Sequence, residues 1–312
     1  EPRRMNAILN GTFVISVLAS TLVLATPLIL GALGGVVSER AGVVNIALEG
    51  IMLVAAFVCS AVGTVTGNLW LALAAGIVAG AVAGLFLALL AVTLRVDQVV
   101  AGFVINIAAA GGTSFVFRST FANGSASPPT LAPINIPLLS SVPVLGPIVF
   151  RQSLLVYVAL ALVPLVHVYL FRTRVGLRSR AVSENPRAAD VAGINVYLVR
   201  YAAVIVSGAF AGLAGAYLVA DVGSFSEGMT SGRGFIALAA VIFGKWRPFQ
   251  ATLGALLFGF FDALQSQLQV AGINAPVPVL LMIPYVATIV VLAGFIGRAI
   301  PPAADGIPYV KE

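Results

Sequence analysis

Charge is what this sequence has least of. Asp, Glu, Lys and Arg make up 9% of its 312 residues, 60% are hydrophobic, and the mean hydropathy is +1.07. A soluble domain carries about 25% charged residues, so a soluble globular fold is excluded and an all-α polytopic membrane protein remains. Cysteine is nearly absent too. Cys59 is the one thiol and lies in an apolar run, which excludes a disulfide framework and a cysteine metal site. His167 is the one histidine, and no pair of residues has the spacing of a metal site or a general acid–base couple. No catalytic residue, metal or cofactor is therefore expected in this chain. The phosphate-binding loop G-x-x-x-x-G-K-S/T is missing as well: Gly244-Lys245 lacks the upstream glycine and is followed by Trp246. A net charge of +6 implies no nucleic-acid partner, because in a membrane protein cations matter by location. The first apolar stretch is too long for a signal-peptide core and has no small-residue cleavage site, so no cleavable signal is expected.

What is present is a series of apolar runs long enough to cross a bilayer: 12–37, 46–66, 70–94, 99–117, 154–171, 201–220, 252–270 and 279–295. A ninth, 235–244, covers only about 15 Å as a helix, so it needs its flanks or a broken helix to cross. The expectation is about eight membrane-spanning helices plus one short or broken helix, in a single domain over 1–312. The 32 glycines suit such a bundle, since membrane helices approach through small residues. Orientation follows from Lys and Arg. With the N-terminus outside and the C-terminus inside, the inner segments hold Arg40, Arg95, Arg172, Arg174, Arg178, Arg180, Arg187, Arg200, Lys245, Arg247, Arg298 and Lys311. The outer ones hold Arg3, Arg4, Arg118, Arg151 and Arg233, so twelve stand against five.

The longest polar interruption, 172–200, therefore faces the cytoplasm. Its middle reads as a helix of about two turns over 186–192, with Asn185 as N-cap, Pro186 at the first helical position and Gly193 as the stop. A short, capped, partly apolar helix between two spans is expected to dock on another protein. The external segment 122–150 carries Pro128, Pro129, Pro133, Pro137, Pro143 and Pro147, a density that predicts an extended flap without regular helix. Two further stretches break the membrane pattern. Residues 38–50 (SERAGVVNIALEG) bring Glu39, Arg40, Asn45 and Glu49 to the inner ends of the first two spans, and 223–234 (GSFSEGMTSGRG) approaches the short run through four glycines. Irregular backbone at membrane depth needs protein or a water-filled cavity to satisfy it, so both are candidates for broken helices beside a pathway.

Residues that could line such a pathway are Asn45, Glu49, Gln98, Phe103, Asn106, Asp262 and Gln265, a lining suited to a neutral polar solute with an apolar face. Interhelical hydrogen bonding accounts equally well for each polar member. Ion coupling would rest on Glu49, Asp97, Asp262 or His167; Glu49 and Asp97 sit at span ends, where a helix dipole explains them.

The stretches SERAGVVNIALEGIML (38–53), ENPRAADVAGINVYLVRYAAVIVSGAFAGLAGAYL (184–218) and GRGFIALAAVIFGKWRPFQATLGALLFGFFDALQ (232–265) resemble permease subunits of bacterial ABC importers. The family is the one containing branched-chain amino acid, ribose and other simple-sugar permeases, and the wording is most similar to its nucleoside-importer members. The resemblance implies a type II, cobalamin-importer-like helix bundle in the bacterial cytoplasmic (inner) membrane. It implies a second homologous permease, with a heterodimer expected, and a substrate-binding lipoprotein outside. It also implies an ATPase with two nucleotide-binding cassettes, where ATP and magnesium would sit. The coupling helix would fall on Glu184, Asn185, Pro186, Arg187, Ala188, Ala189, Asp190, Val191, Ala192 and Gly193, with Glu184, Arg187 and Asp190 available for ion pairs. The other readings are a sugar or branched-chain amino acid permease, and an ion-coupled secondary transporter or channel.

Overall fold

In hydrocarbon every backbone N–H and C=O must find its partner within the protein, so apolar runs of this length form helices. The computed structural model describes residues 11–121, 126–135, 137, 140, 142–272 and 299–311, with the helical positions 279, 282, 286 and 290 between the last two blocks. The chain runs α1 (Gly11–Glu39), α2 (Leu48–Thr66), α3 (Leu69–Ala88, closed by a π-helical turn at Leu89–Thr93), α4 (Gln98–Thr120), β1 (Ile134–Asn135), α5 (Leu145–Val149) and β2 (Arg151–Gln152). It continues with α6 (Leu154–Arg172), α7 (Arg174–Glu184), α8 (Pro186–Val191), α9 (Val196–Val222), α10 (Arg233–Phe243) and α11 (Pro248–Val270).

Among the described residues six helices are long and apolar enough to cross a membrane: α1, α2, α3 with its π turn, α4, α6 and α9. The run expected at 252–270 lies in α11, a helix of 23 residues made more polar by Asp262, Gln265, Gln267 and Gln269. The run expected at 279–295 falls outside the described residues, apart from the four positions named. The short ninth run is α10, 11 residues long.

α9 is the most enclosed of the six spans and α4 the least. α9 packs on α3, α1 and α2, while α1 also meets α11 and α10. The α3–α9 seam is built from small residues: a Cβ on Gly80 would run into the Gly208 carbonyl, and a Cβ on Gly208 into that of Gly80. Only backbones that nearly touch produce such mutual exclusion.

The flap departs from expectation only in forming a short helix. It lies on the bundle, with Leu131 N–H donating to the Ala220 carbonyl at 2.9 Å and Pro128 set against Gly63. Antiparallel pairing joins Ile134 to Gln152 and Asn135 to Arg151. A regular helix does form within it, α5, with Pro147 inside. Proline is tolerated there because the first-turn amides of a helix have no intrahelical acceptor to lose.

Candidate functional site

The first break is 40–47, between α1 and α2. At its start Ser38 donates from Oγ to the Val43 carbonyl at 2.6 Å, turning the chain back into the bundle. Two amides of α4 and one of the break itself, Asn45, then support it. Gln98 Oε1 accepts from Val44 N–H at 2.8 Å, and Asn45 Nδ2 donates to Ser207 Oγ at 2.9 Å. Asn106 bridges the gap in the helix itself, accepting from Gly50 N–H at 2.7 Å and donating to the Ile46 carbonyl at 2.9 Å. Asn45, Gln98 and Asn106 are buried: Gln98 and Asn106 complete the backbone of the break, and Asn45 ties it to α9 through Ser207. Gln265 is buried too.

Glu49, in the first turn of α2, reaches the second break. Its Oε1 accepts from Thr230 Oγ1 at 2.6 Å and from Gly232 N–H at 2.8 Å, and its Oε2 accepts from Gly234 N–H at 2.6 Å. These donors end the 223–232 loop and begin α10. The N-cap residue of α10 is Gly232, and Glu49, from another helix, satisfies the amides there, where the positive end of the dipole lies. The approach is close: a Cβ on Gly234 would run into the Glu49 backbone. Asn106 stands eight residues into α4, which puts this junction about 12 Å into the bundle from the start of that helix. The other end of α10 returns to the bundle end, where Arg40 Nε donates to the Trp246 carbonyl at 3.0 Å and Trp246 Nε1 donates to Glu39. The two broken stretches, far apart in sequence, are thus one junction.

On the opposite side of the loop, Arg118 of α4 grips Glu227 through Nε and Nη2 at 2.7 and 2.8 Å. The hydrogen bonds from Arg118 hold the Glu227 carboxyl below its ordinary range. The pair closes the end of an open groove of about 650 Å³, lined by Ala110, Gly111, Ser114, Phe115, Arg118, Ser119 and Glu227. Deeper on the same exposed flank of α4, the Phe103 ring lies 6.2 Å from that of Phe235 on α10. Phe103 thus faces outward while its neighbour Asn106 is turned in. Asp262 pairs with Arg233 at 4.0 Å, Asp97 caps α4 by accepting from Val99 and Val100 N–H, and His167 packs between Phe171 and Phe249.

At the end of the bundle that carries residues 172–200, α8 forms with Asn185 Oδ1 accepting from Ala188 N–H at 3.0 Å and with Gly193 in the left-handed region at φ +82°. It buries Ala189 and leaves Arg187, Ala188 and Val191 outward, Val191 at 91% exposure. Sequence reasoning missed α7. Its signal was Thr173, whose Oγ1 accepts from Gly176 N–H at 3.1 Å as an N-cap, but four arginines over 172–180 made the stretch read as loop. α7 adds exposed Val175 and Leu177 to the same end, and Leu198 of α9 is exposed there as well. Glu184 and Asp190 are engaged within the chain, Glu184 by Ala303 N–H at 3.4 Å and Asp190 by Lys311 Nζ at 3.4 Å.

Known proteins match along nearly the whole chain. The family model described as branched-chain amino acid transport system / permease component covers residues 17–296. A nucleoside ABC transporter permease protein of Lactococcus lactis subsp. cremoris is 44% identical over 307 residues, 95% of this chain and 97% of that protein. A guanosine ABC transporter permease protein of Bacillus subtilis is 43% identical over 307 residues, 95% and 96% of the two chains. A putative glucose ABC transporter permease protein of Haloferax volcanii is 39% identical over 303 residues, 90% and 92%. No solved structure matches significantly. The match takes in the six spans, both breaks and the capped helix between α7 and α9, and the chain belongs to the branched-chain amino acid transport system permease family.

Proposed function

We propose that this chain is the membrane-spanning permease subunit of an ATP-driven importer for nucleosides, forming half of the translocation pathway. The observation that carries the coupling role is α8, a six-residue helix capped at both ends, with an apolar tip in solvent and the arginine-rich turns around it. A chain without a phosphate-binding loop needs such a surface to receive work from an ATPase. ATP and magnesium belong to that partner, an ATPase with two cassettes, and this chain holds no cofactor. The nucleoside and guanosine relatives support the substrate class.

The chain sits in the bacterial cytoplasmic membrane with its N-terminus outside and C-terminus inside. The gathering of Arg40, Lys245 and Arg247 around one cavity at the α10–α11 turn supports this orientation, as does the Lys311–Asp190 pair at α8. About eight spans plus the short α10 complete a cobalamin-importer-like bundle in one domain. A homologous permease supplies the other half as a heterodimer, and a binding lipoprotein delivers solute from outside. The wall contributed here is the outward flank of α4 (Phe103, Gly111, Ser114, Phe115, Arg118) with the 223–232 loop and Phe235. Aromatic faces suit a nucleobase, and the serine hydroxyl and ion pair suit a ribose.

In this reading, closure of the cassettes displaces α8. The displacement reaches the 40–47 break, and through Glu49 it tilts α10, opening one side of the pathway as the other closes. The test combines Arg187→Glu with Val191→Asp. The variant is expected to insert and purify as a folded permease but to lose its ATPase during purification. A variant complex that stays whole and transports normally would overturn the coupling assignment.

A further inference from the structure

α8 cannot hold its own position. Six residues make an unstable helix in isolation, its buried side chain is Ala189, and it is joined to its neighbours through Asn185 and the left-handed Gly193. Beyond its contacts with α7 and α9, it is braced by residues 303–311, which bind both of these neighbours. Ala304 N–H donates to the Ser183 carbonyl at 2.8 Å, and Arg200, buried at 1% exposure, donates from Nη1 to the Ile307 carbonyl at 2.9 Å. Tyr309 then completes a small apolar cluster with Val182, Ala189 and Val196, one residue from each of α7, α8 and α9, and its ring lies 5.6 Å from that of Tyr197. Lys311 reaches Asp190 of α8 at 3.4 Å.

The same segment touches the first break. The Ala304 carbonyl and the Arg200 guanidinium both crowd Gly42, and Gly306 faces Val44. Residues 303–311 thus contact α8 at one end and the 40–47 break at the other, with a buried arginine between.

We propose that the C-terminal segment is part of the coupling device, and that Tyr309 is a positioning residue which makes α8 and the 40–47 break move as one body. The inference rests on the importer reading above. It differs from a docking role because Tyr309, being buried, offers the ATPase no surface.

The experiment uses the complete complex, with partner permease, ATPase and binding protein, reconstituted in liposomes, and reads nucleoside taken up per ATP hydrolysed. Tyr309→Ala removes a packed ring and leaves a cavity under α8, and the uptake-to-hydrolysis ratio is expected to fall about tenfold. ATP hydrolysis and co-purification of the ATPase are expected to persist, and Tyr309→Phe, which keeps the ring, should restore most of the ratio. An unchanged ratio in Tyr309→Ala overturns the proposal. So does a ratio that falls only together with ATPase co-purification, since the segment would then merely shape the docking face. Failure of the unaltered complex to show ATP-driven uptake overturns the importer reading itself, and the positioning role with it.

Discussion

Glu49 gathers three donors from a stretch that begins 181 residues later in the chain. Two of them are backbone amides at the start of α10, which would otherwise be unsatisfied inside the bundle. Glu49→Gln removes the charge and points an amide donor at those N–H groups. Losing charge-assisted bonds of this kind costs about 2 kcal/mol, so the detergent-solubilised variant is expected to melt several degrees lower, with uptake reduced. A second residue, Asp305, sets a pH dependence. Burial pushes its carboxyl up to about 7, against the pull of Arg200, the Gly306 amide and Arg40, with Glu39 of α1 beside it. The docked segment therefore favours the protonated acid, and its docking weakens as pH rises from about 4 to about 7. Limited proteolysis of the C-terminal segment is expected to be faster at about pH 8 than at about pH 6, and Asp305→Asn should remove the difference. At this scale the sequence marks Asn45, Gln98 and Asn106 as polar residues in apolar surroundings. It does not say whether they face a pathway or a neighbouring backbone, because their partners lie 54 to 162 residues away.

Helices are the legible scale. The span ends of α1, α2, α3, α4 and α6 follow the apolar runs to within a few residues, since length and hydropathy carry that information locally. α8 was readable for the same reason: Asn185, Pro186 and Gly193 sit within its own few residues. α7 was not, because its identity as a helix depends on Gly176 packing against the end of α6 rather than on any periodic apolar face. Nor was the α3–α9 seam, where glycines four apart mark a close approach without naming the partner. Gly80→Val drives a branched side chain into the Gly208 carbonyl, so α3 must move away from α9. Overpacking of this kind should lower the melting midpoint by about 5 °C or more, and thermal-shift size-exclusion chromatography would show it.

For the whole molecule, the orientation is open to a direct measurement. Cys59 is the one cysteine and is buried, so the unaltered protein should be silent to a membrane-impermeant maleimide. In right-side-out cells, Ser119→Cys at the far end of α4 is expected to label, and Arg187→Cys on α8 should label only after the membrane is opened. The reverse pattern would invert the topology. Charge counting yields an expectation for the sides, which this labelling tests, because the bias is cumulative over many loops. The meeting of the two breaks was out of its reach, since it arises from the packing of α2, α4 and α10.

The cap that Glu49 places on α10 also sets the charge found where the two breaks meet. A bare helix end inside a membrane protein attracts anions, since its free amides and dipole favour negative charge. Here that position is already filled by a carboxylate, so a solute bearing a phosphate would meet one negative charge with another. The junction of the two breaks is therefore a place that disfavours bound anions, by electrostatics rather than by steric blockage.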